Sequence, residues 1–203
     1  MLENDTRSKL IEVATKLFAT KGYAAVSIRE LTVAAQVNVS AISYYFEGKE
    51  GLYQAVLGEQ LAPILGAVKE VGNKNFLSYA DRLTYYADQV AAIHAQRPFI
   101  SRFIQMEIIH PTPFGGPVIE RHLTQAFNFV NSILQDGIEH GEFRSDLDCD
   151  YTTIALVGIL NFYFIAQPLL PKLLPLTKTV HCDRQYINQA FRIYLHGIMQ
   201  PAT

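Results

Sequence analysis

"QVNVSAISYYFEGKE", residues 36–50, sets two adjacent tyrosines, two serines and an asparagine beside a phenylalanine, then breaks at a glycine and a lysine. Val37, Asn38, Val39 and Ser40 are β-branched or turn-forming and interrupt any helix that precedes them. "AISYYF" then resumes helical character, with Asn38 as the cap of a helix over roughly residues 39–45. On that helix Ile42 and Phe46 turn to one side, while Val39, Ser40, Ser43 and Tyr44 share the other. One side docks on a core, and the hydroxyl-bearing side is left to touch something else.

Upstream, "DTRSKLIEVATKLFATKG" carries Leu10, Ala14, Leu17 and Phe18 on one stripe, with Asp5 or Thr6 as a start cap and Gly22 as a stop. In "VSIREL", Ser27 and Glu30 have the spacing of a capping box, and Val26 and Leu31 stand at the positions of a hydrophobic staple. A second helix therefore starts at Ser27 and must be short. A long helix followed by two short ones is a helix-turn-helix on a three-helix core.

Downstream, Gly48 permits a sharp turn and Lys49 opens a long amphipathic helix, which Pro63 is expected to kink. Further helices are expected near roughly 76–96, 98–109, 116–140, 150–167 and 183–198, the last two parted by a proline-rich stretch over about 168–181. The fold class is all-α: a helix-turn-helix domain over residues 1–52, then a larger helical bundle over 53–203.

Composition bounds the function. A chain of 203 residues, 49% hydrophobic and 18% charged, builds a real core. "MLENDTRSKL" has acids and no apolar leader. The most apolar run, "IALVGILNFYFIA" at 154–166, is 13 residues long, short of the ~20 that span a bilayer, and reads as a buried helix with no membrane partner. Cys149 and Cys182 lack CxxC spacing and suggest reduced thiols in the cytoplasm. His94, His110, His122, His140, His181 and His196 show no ligand spacing, so neither metal nor cofactor is expected, and His140 reads as a residue favoured at a helix C-terminus. With no phosphate loop and no G-x-S-x-G elbow, no catalytic residues stand out and the chain does not read as an enzyme.

The formal net charge is -2, and residues 1–53 hold six Lys/Arg against six acids. Bulk attraction to nucleic acid is excluded, so any such contact depends on placement. Placement is favourable: a major groove about 12 Å wide admits one helix. Val39 and Ala41 suit a thymine methyl, and Ser43 and Tyr44 suit base edges. Ser27 beside free backbone N–H groups suits a phosphate. Tyr45 and Lys49 are placed for the backbone, and Arg29 for backbone or a guanine edge.

At these residues the chain resembles the DNA-binding domain of TetR-family transcriptional regulators. The shared features over roughly the first 56 residues are "A..LF...G", "S/T-x-R-x-L/I", "V-x-x-x-x-I-x-Y-Y-F" and "K-E-x-L". The resemblance places Ser27, Arg29, Asn38, Val39, Ser40, Ala41, Ser43, Tyr44, Tyr45 and Lys49 against double-stranded operator DNA. Gln36 departs from the pattern, since the family commonly has Gly there; it must avoid a positive φ or tolerate strain.

The resemblance also implies a homodimeric regulator, most often a repressor, released when a small, largely apolar effector binds the C-terminal domain. Arg102, Phe103, Met106, Glu107, Phe127 and Asn161 are the candidate effector residues, Asn161 because a buried amide needs a partner. "M-E-x-x-x-P-T", from Met106 to Thr112, resembles CecR-type regulators within the family. For dimerisation, "YTTIALVGILNFYFIAQ" is apolar nearly all round, and Ile187, Ala190, Phe191, Tyr194 and Ile198 form a stripe; the alternative is a hairpin buried within one subunit. The rivals from other classes are a helical-bundle enzyme or carrier with a non-functional helix-turn-helix, and an effector-independent DNA-binding protein.

Overall fold

The computed structural model describes residues 2–173 and 182–201. His181 lies outside them, as does the side chain of Cys182, so the expectations for both are not addressed. Helix α1 is Leu2–Lys21, α2 is Ile28–Ala35, α3 is Ser40–Phe46 and α4 is Lys49–Asn73. They are followed by α5 (Tyr79–Gln96), α6 (Ile100–Ile109), α7 (Gly116–Glu139), α8 (Cys149–Ala166), α9 (Leu170–Leu173) and α10 (Cys182–Ile198). Among the described residues the one β contact is an isolated bridge between Phe143 and Met199.

The helix boundaries follow local chemistry. Helix α1 starts ahead of Asp5 and Thr6, so neither caps it; Gly22 ends it at φ +80. Helix α5 starts at Tyr79, not near 76, because the Ser78 side chain accepts from Asp81 N. Both Glu142 carboxylate oxygens add to that cap, accepting from Tyr79 N and Ala80 N at 2.8 Å. The short α9 lies inside the proline-rich stretch expected to be a separator. Beside Gly141, the His140 ring lies 2.7 Å from the Asp136 carbonyl, at the C-terminal end of α7.

Packing divides the chain into two compact units, Met1–Ala62 with Arg102–Arg121, and Pro63–Ser101 with His122–Thr203. The division thus falls at Pro63 inside α4, not at residue 53, and the first unit also takes most of α6. The reason lies in long-range packing of Tyr53. Its ring is fully buried and makes edge contacts with Phe18 at 5.0 Å, Phe103 at 6.2 Å and Phe114 at 6.2 Å.

In the second unit α5, α8 and α10 pack together. Tyr163 stacks on Tyr186 at 4.5 Å, and the Tyr194 hydroxyl donates to the Thr152 carbonyl at 3.1 Å. Ile187, Phe191, Tyr194 and Ile198 are buried in this core, and Ala190 is half-buried. The stripe expected to form the dimer face is therefore the inward face of α10. The largest exposed apolar group in this unit is on α8, where Tyr151, Ile154, Val157, Phe162 and Ile165 are exposed; Ile193 on α10 is exposed as well. Helix α8 has 18 residues, close to the helix expected near 150–167 and longer than the 13-residue apolar run within it, and by length and composition alone is apolar enough to cross a membrane.

Candidate nucleic-acid interface

Helix α2 begins as its sequence dictates. Ser27 has extended backbone, and its Oγ accepts from Glu30 N at 3.1 Å. Val26 and Leu31, the staple pair, are both buried. Glu30 also takes a hydrogen bond from Lys21, which holds its carboxyl below the usual range, with the Ser27 backbone contributing.

The turn is tight. Gln36 adopts φ 57, ψ 44, and its N–H bonds back to Val33 O while Val37 N reaches Thr32 O. Gln36 thus accepts the left-handed conformation and does not avoid it, at a cost of roughly 1 kcal/mol for a non-glycine residue. Asn38 then caps α3: its Oδ1 accepts from Ser40 N and Ser40 Oγ, each at 3.0 Å, and Val39 already has helical dihedrals. At the far end Glu47, with φ 61, and Gly48, with φ 125, reverse the chain into α4.

These devices orient α3. Ile42 and Phe46 are buried in the three-helix core, and Arg7 lies over the Phe46 ring at 5.4 Å. Ser40 and Ser43 are exposed, Val39 is 56% exposed and Tyr44 is 72% exposed. The Tyr44 and Tyr45 rings meet edge-on at 4.9 Å, with Tyr45 half-buried. Ser27, Arg29 and Asn38 are exposed and Ala41 is half-buried. Lys49 is half-buried over the Tyr23 ring, 4.1 Å from its centroid, and burial pushes its ammonium pKa down. All ten residues expected at DNA lie in the first unit.

The expected effector residues are divided between the two units. Arg102, Phe103, Met106 and Glu107 belong to the first unit, Phe127 and Asn161 to the second. Phe103 and Glu107 are buried in the core of the first unit. Glu107 accepts from the Tyr53 hydroxyl at 2.8 Å, from Thr112 N at 2.8 Å and from Thr112 Oγ1, and the added burial and charge push the Tyr53 phenol pKa up. The spacing from Glu107 to Thr112 closes the loop after α6, and a Cβ on Gly115 would lie 2.6 Å from the Glu107 carboxylate. No local signal could reveal the Tyr53–Glu107 pair, whose members stand 54 residues apart. Arg102 does not pair with Glu107; it donates to Thr20 O at 3.3 Å.

Asn161 is half-buried, not buried, and its amide donates to Val157 O at 2.8 Å. It also hydrogen-bonds His94, which is buried, stacked on Phe164 at 4.2 Å and 2.8 Å from Ser101 Oγ. Desolvation pushes His94 down to about 4, against the smaller opposing effect of Asn161.

Residues 10–56 match the family described as bacterial regulatory proteins, tetR family. The probable HTH-type transcriptional regulator YttP of Bacillus subtilis (strain 168) is 26% identical over 170 residues, 83% of this chain and 82% of that protein. The HTH-type transcriptional repressor KstR2 of Rhodococcus jostii (strain RHA1) is 25% identical over 145 residues, 71% of each chain. In fold, the chain resembles the transcriptional regulator FadR from Bacillus subtilis in complex with stearoyl-CoA, with TM-score 0.75, 18% identity and 94% and 98% of the two chains covered. A capped, outward-facing third helix on a three-helix core that matches the tetR family over residues 10–56, carried by an all-α chain with these relatives, makes this protein a DNA-binding transcriptional regulator with a TetR-type DNA-binding domain.

Proposed function

We propose that the protein is a cytoplasmic, homodimeric repressor that reads a palindromic operator with two copies of α3 and leaves it when a small, largely apolar effector binds the second unit. The exposed ring of Tyr44, on a helix whose Ile42 and Phe46 are buried, carries this reading. Val39, Ser43, Tyr44 and Arg29 read base edges, and Asn38, Ser40 and Ala41 let the helix approach closely. Ser27, Tyr45 and Lys49 hold phosphates, Lys49 leaving the Tyr23 ring to do so.

The exposed apolar face of α8 supports the dimer, since a face of this kind on one chain is covered by its copy through two-fold symmetry. The same symmetry sets two copies of α3 about one helical turn of DNA apart. The FadR complex with stearoyl-CoA supports an apolar effector, as does the polar group of His94, Ser101 and Asn161 set among aromatic rings. Asn161 and Phe127, both half-buried in the second unit, are the candidate residues we assign to that site. Effector binding favours a conformation in which the α3 pair no longer fits its half-sites, and α4, continuous from Lys49 to Asn73, carries the change.

A gel-shift titration against the DNA beside the protein's own gene tests the function. Binding weakened by Tyr44→Ala or Lys49→Ala supports it; turnover of a substrate without any DNA binding overturns it. An effector that saturates the protein and leaves operator affinity unchanged removes the release mechanism.

A further inference from the structure

A cavity of about 330 Å³ opens in the first unit between the end of α1 and the outer face of α6. Ala19, Met106 and Ile109 give it apolar walls, while Lys21, Arg102 and His110 bring three basic groups and no acid lines it. Lys21 is engaged by Glu30, so it contributes field more than contact. Arg102 is different. Its one hydrogen bond among the described residues, to Thr20 O, is 3.3 Å long, which leaves most of its five N–H donors to solvent or a ligand. No carboxylate among the described residues pairs with it, and the side chains of Gln105 and His110 make no hydrogen bond there. Arg102, Gln105 and His110 are exposed, so this is an open groove; apolar walls with a few convergent polar groups are nevertheless the makeup of a small-molecule site, and 330 Å³ falls at the small end of that class.

We propose that this cavity binds a small organic carboxylate. Its two oxygens meet the Arg102 guanidinium in a forked pair, and its apolar body lies against Met106 and Ile109. Arg102 is exposed, so a neutral ligand offers it nothing better than water, whereas a carboxylate forms a charge-assisted forked pair that water does not match. The site is separate from an effector site in the second unit. Its wall is Thr20–Gly22, the corner leading into α2, so an occupant competes with the end of α1 for Arg102. Binding here stands without the repressor reading; only its consequence for operator release rests on it.

The chain has three methionines, Met1, Met106 and Met199, so methyl-labelled methionine in the full-length protein reports on the site without DNA. Titration with 2-naphthoate is expected to shift the Met106 methyl saturably and leave Met199 in place. Arg102→Gln is expected to weaken the affinity at least tenfold, Arg102→Lys to restore part of it, and the neutral isostere 2-naphthamide to bind wild type at least tenfold more weakly. An unchanged Met199 signal in Arg102→Gln shows the variant folded. A Met106 methyl that stays put at saturating naphthoate overturns the site, as does equal affinity in folded Arg102→Gln or equal binding of the amide.

Discussion

Helices α3 and α10 are both amphipathic, and the sequence reads one correctly and the other inside out. On α3 the aliphatic side, Ile42 and Phe46, goes to the core and the hydroxyl-bearing side to solvent. On α10 the apolar stripe, with Phe191 and Tyr194, also goes to the core, and the large apolar face left outside is on α8, the other helix expected at the interface. The difference lies in the number of surfaces each unit must cover. A seven-residue helix on a small core has one place to hide its apolar side. In a larger bundle that, in the function we propose, also supplies a subunit contact, two apolar faces compete, and periodicity identifies faces without saying which neighbour covers them.

That contrast breaks most visibly on α8. Ile154→Glu with Phe162→Glu, on a face where Phe162 is 66% exposed, is expected to give a folded monomer by sedimentation, with operator affinity down by at least a hundredfold. Phe191→Ala, by contrast, should lower stability by about 3–4 kcal/mol in denaturant unfolding. A folded monomer from the α10 substitution, with the α8 pair still dimeric, would restore the original assignment of the stripe.

Within α3 the two sides separate by measurement. Ile42→Ala should cost about 3 kcal/mol of stability, while Tyr44→Ala leaves the melting temperature unchanged and weakens operator binding by about 1–3 kcal/mol, roughly ten- to a hundredfold. Fluorescence anisotropy beside thermal unfolding checks both.

The second unit carries a pH signature of its own. His94 has a folded pKa of about 4 against an ordinary 6.5, so between those values the unfolded chain binds the proton first. Stability is therefore full above pH 6.5 and falls as pH drops toward 4, by about 2 kcal/mol at pH 5 relative to pH 7.5. His94→Gln should flatten that slope in urea titrations across the range; an unchanged slope would assign it to other groups.

The smallest effect is at the turn. Gln36→Gly relieves φ 57 and should stabilise the protein by up to about 1 kcal/mol. A loss of stability there would mean the Gln36 side chain has a role beyond its backbone.

The reader was legible because its devices are local. The Ser27–Glu30 cap, the Val26 and Leu31 staple and the Asn38 cap each act within five residues, and each forms as its spacing implies. Gln36 was legible as a position of conflict but not in its resolution, since the backbone bonds that hold the left-handed turn outweigh the side chain's preference. Less visible was what depends on distant partners. Glu107 looked like a ligand group until Tyr53, on another helix, supplied its hydrogen bond. Asn161 looked like a buried amide, yet its partners are its own helix and His94. The inclusion of α6 in the first unit follows from aromatic packing around Tyr53, which no short spacing encodes.

The central claim is that the outer side of α3 enters a DNA groove, and cleavage from that side tests it most directly. In a background with Cys149 and Cys182 replaced by serine, an iron–EDTA group tethered at Ser43→Cys should cut the bound DNA in two localised clusters about one helical turn apart. Uniform cleavage, or the same pattern from a tether at Thr84 in the second unit, would contradict it.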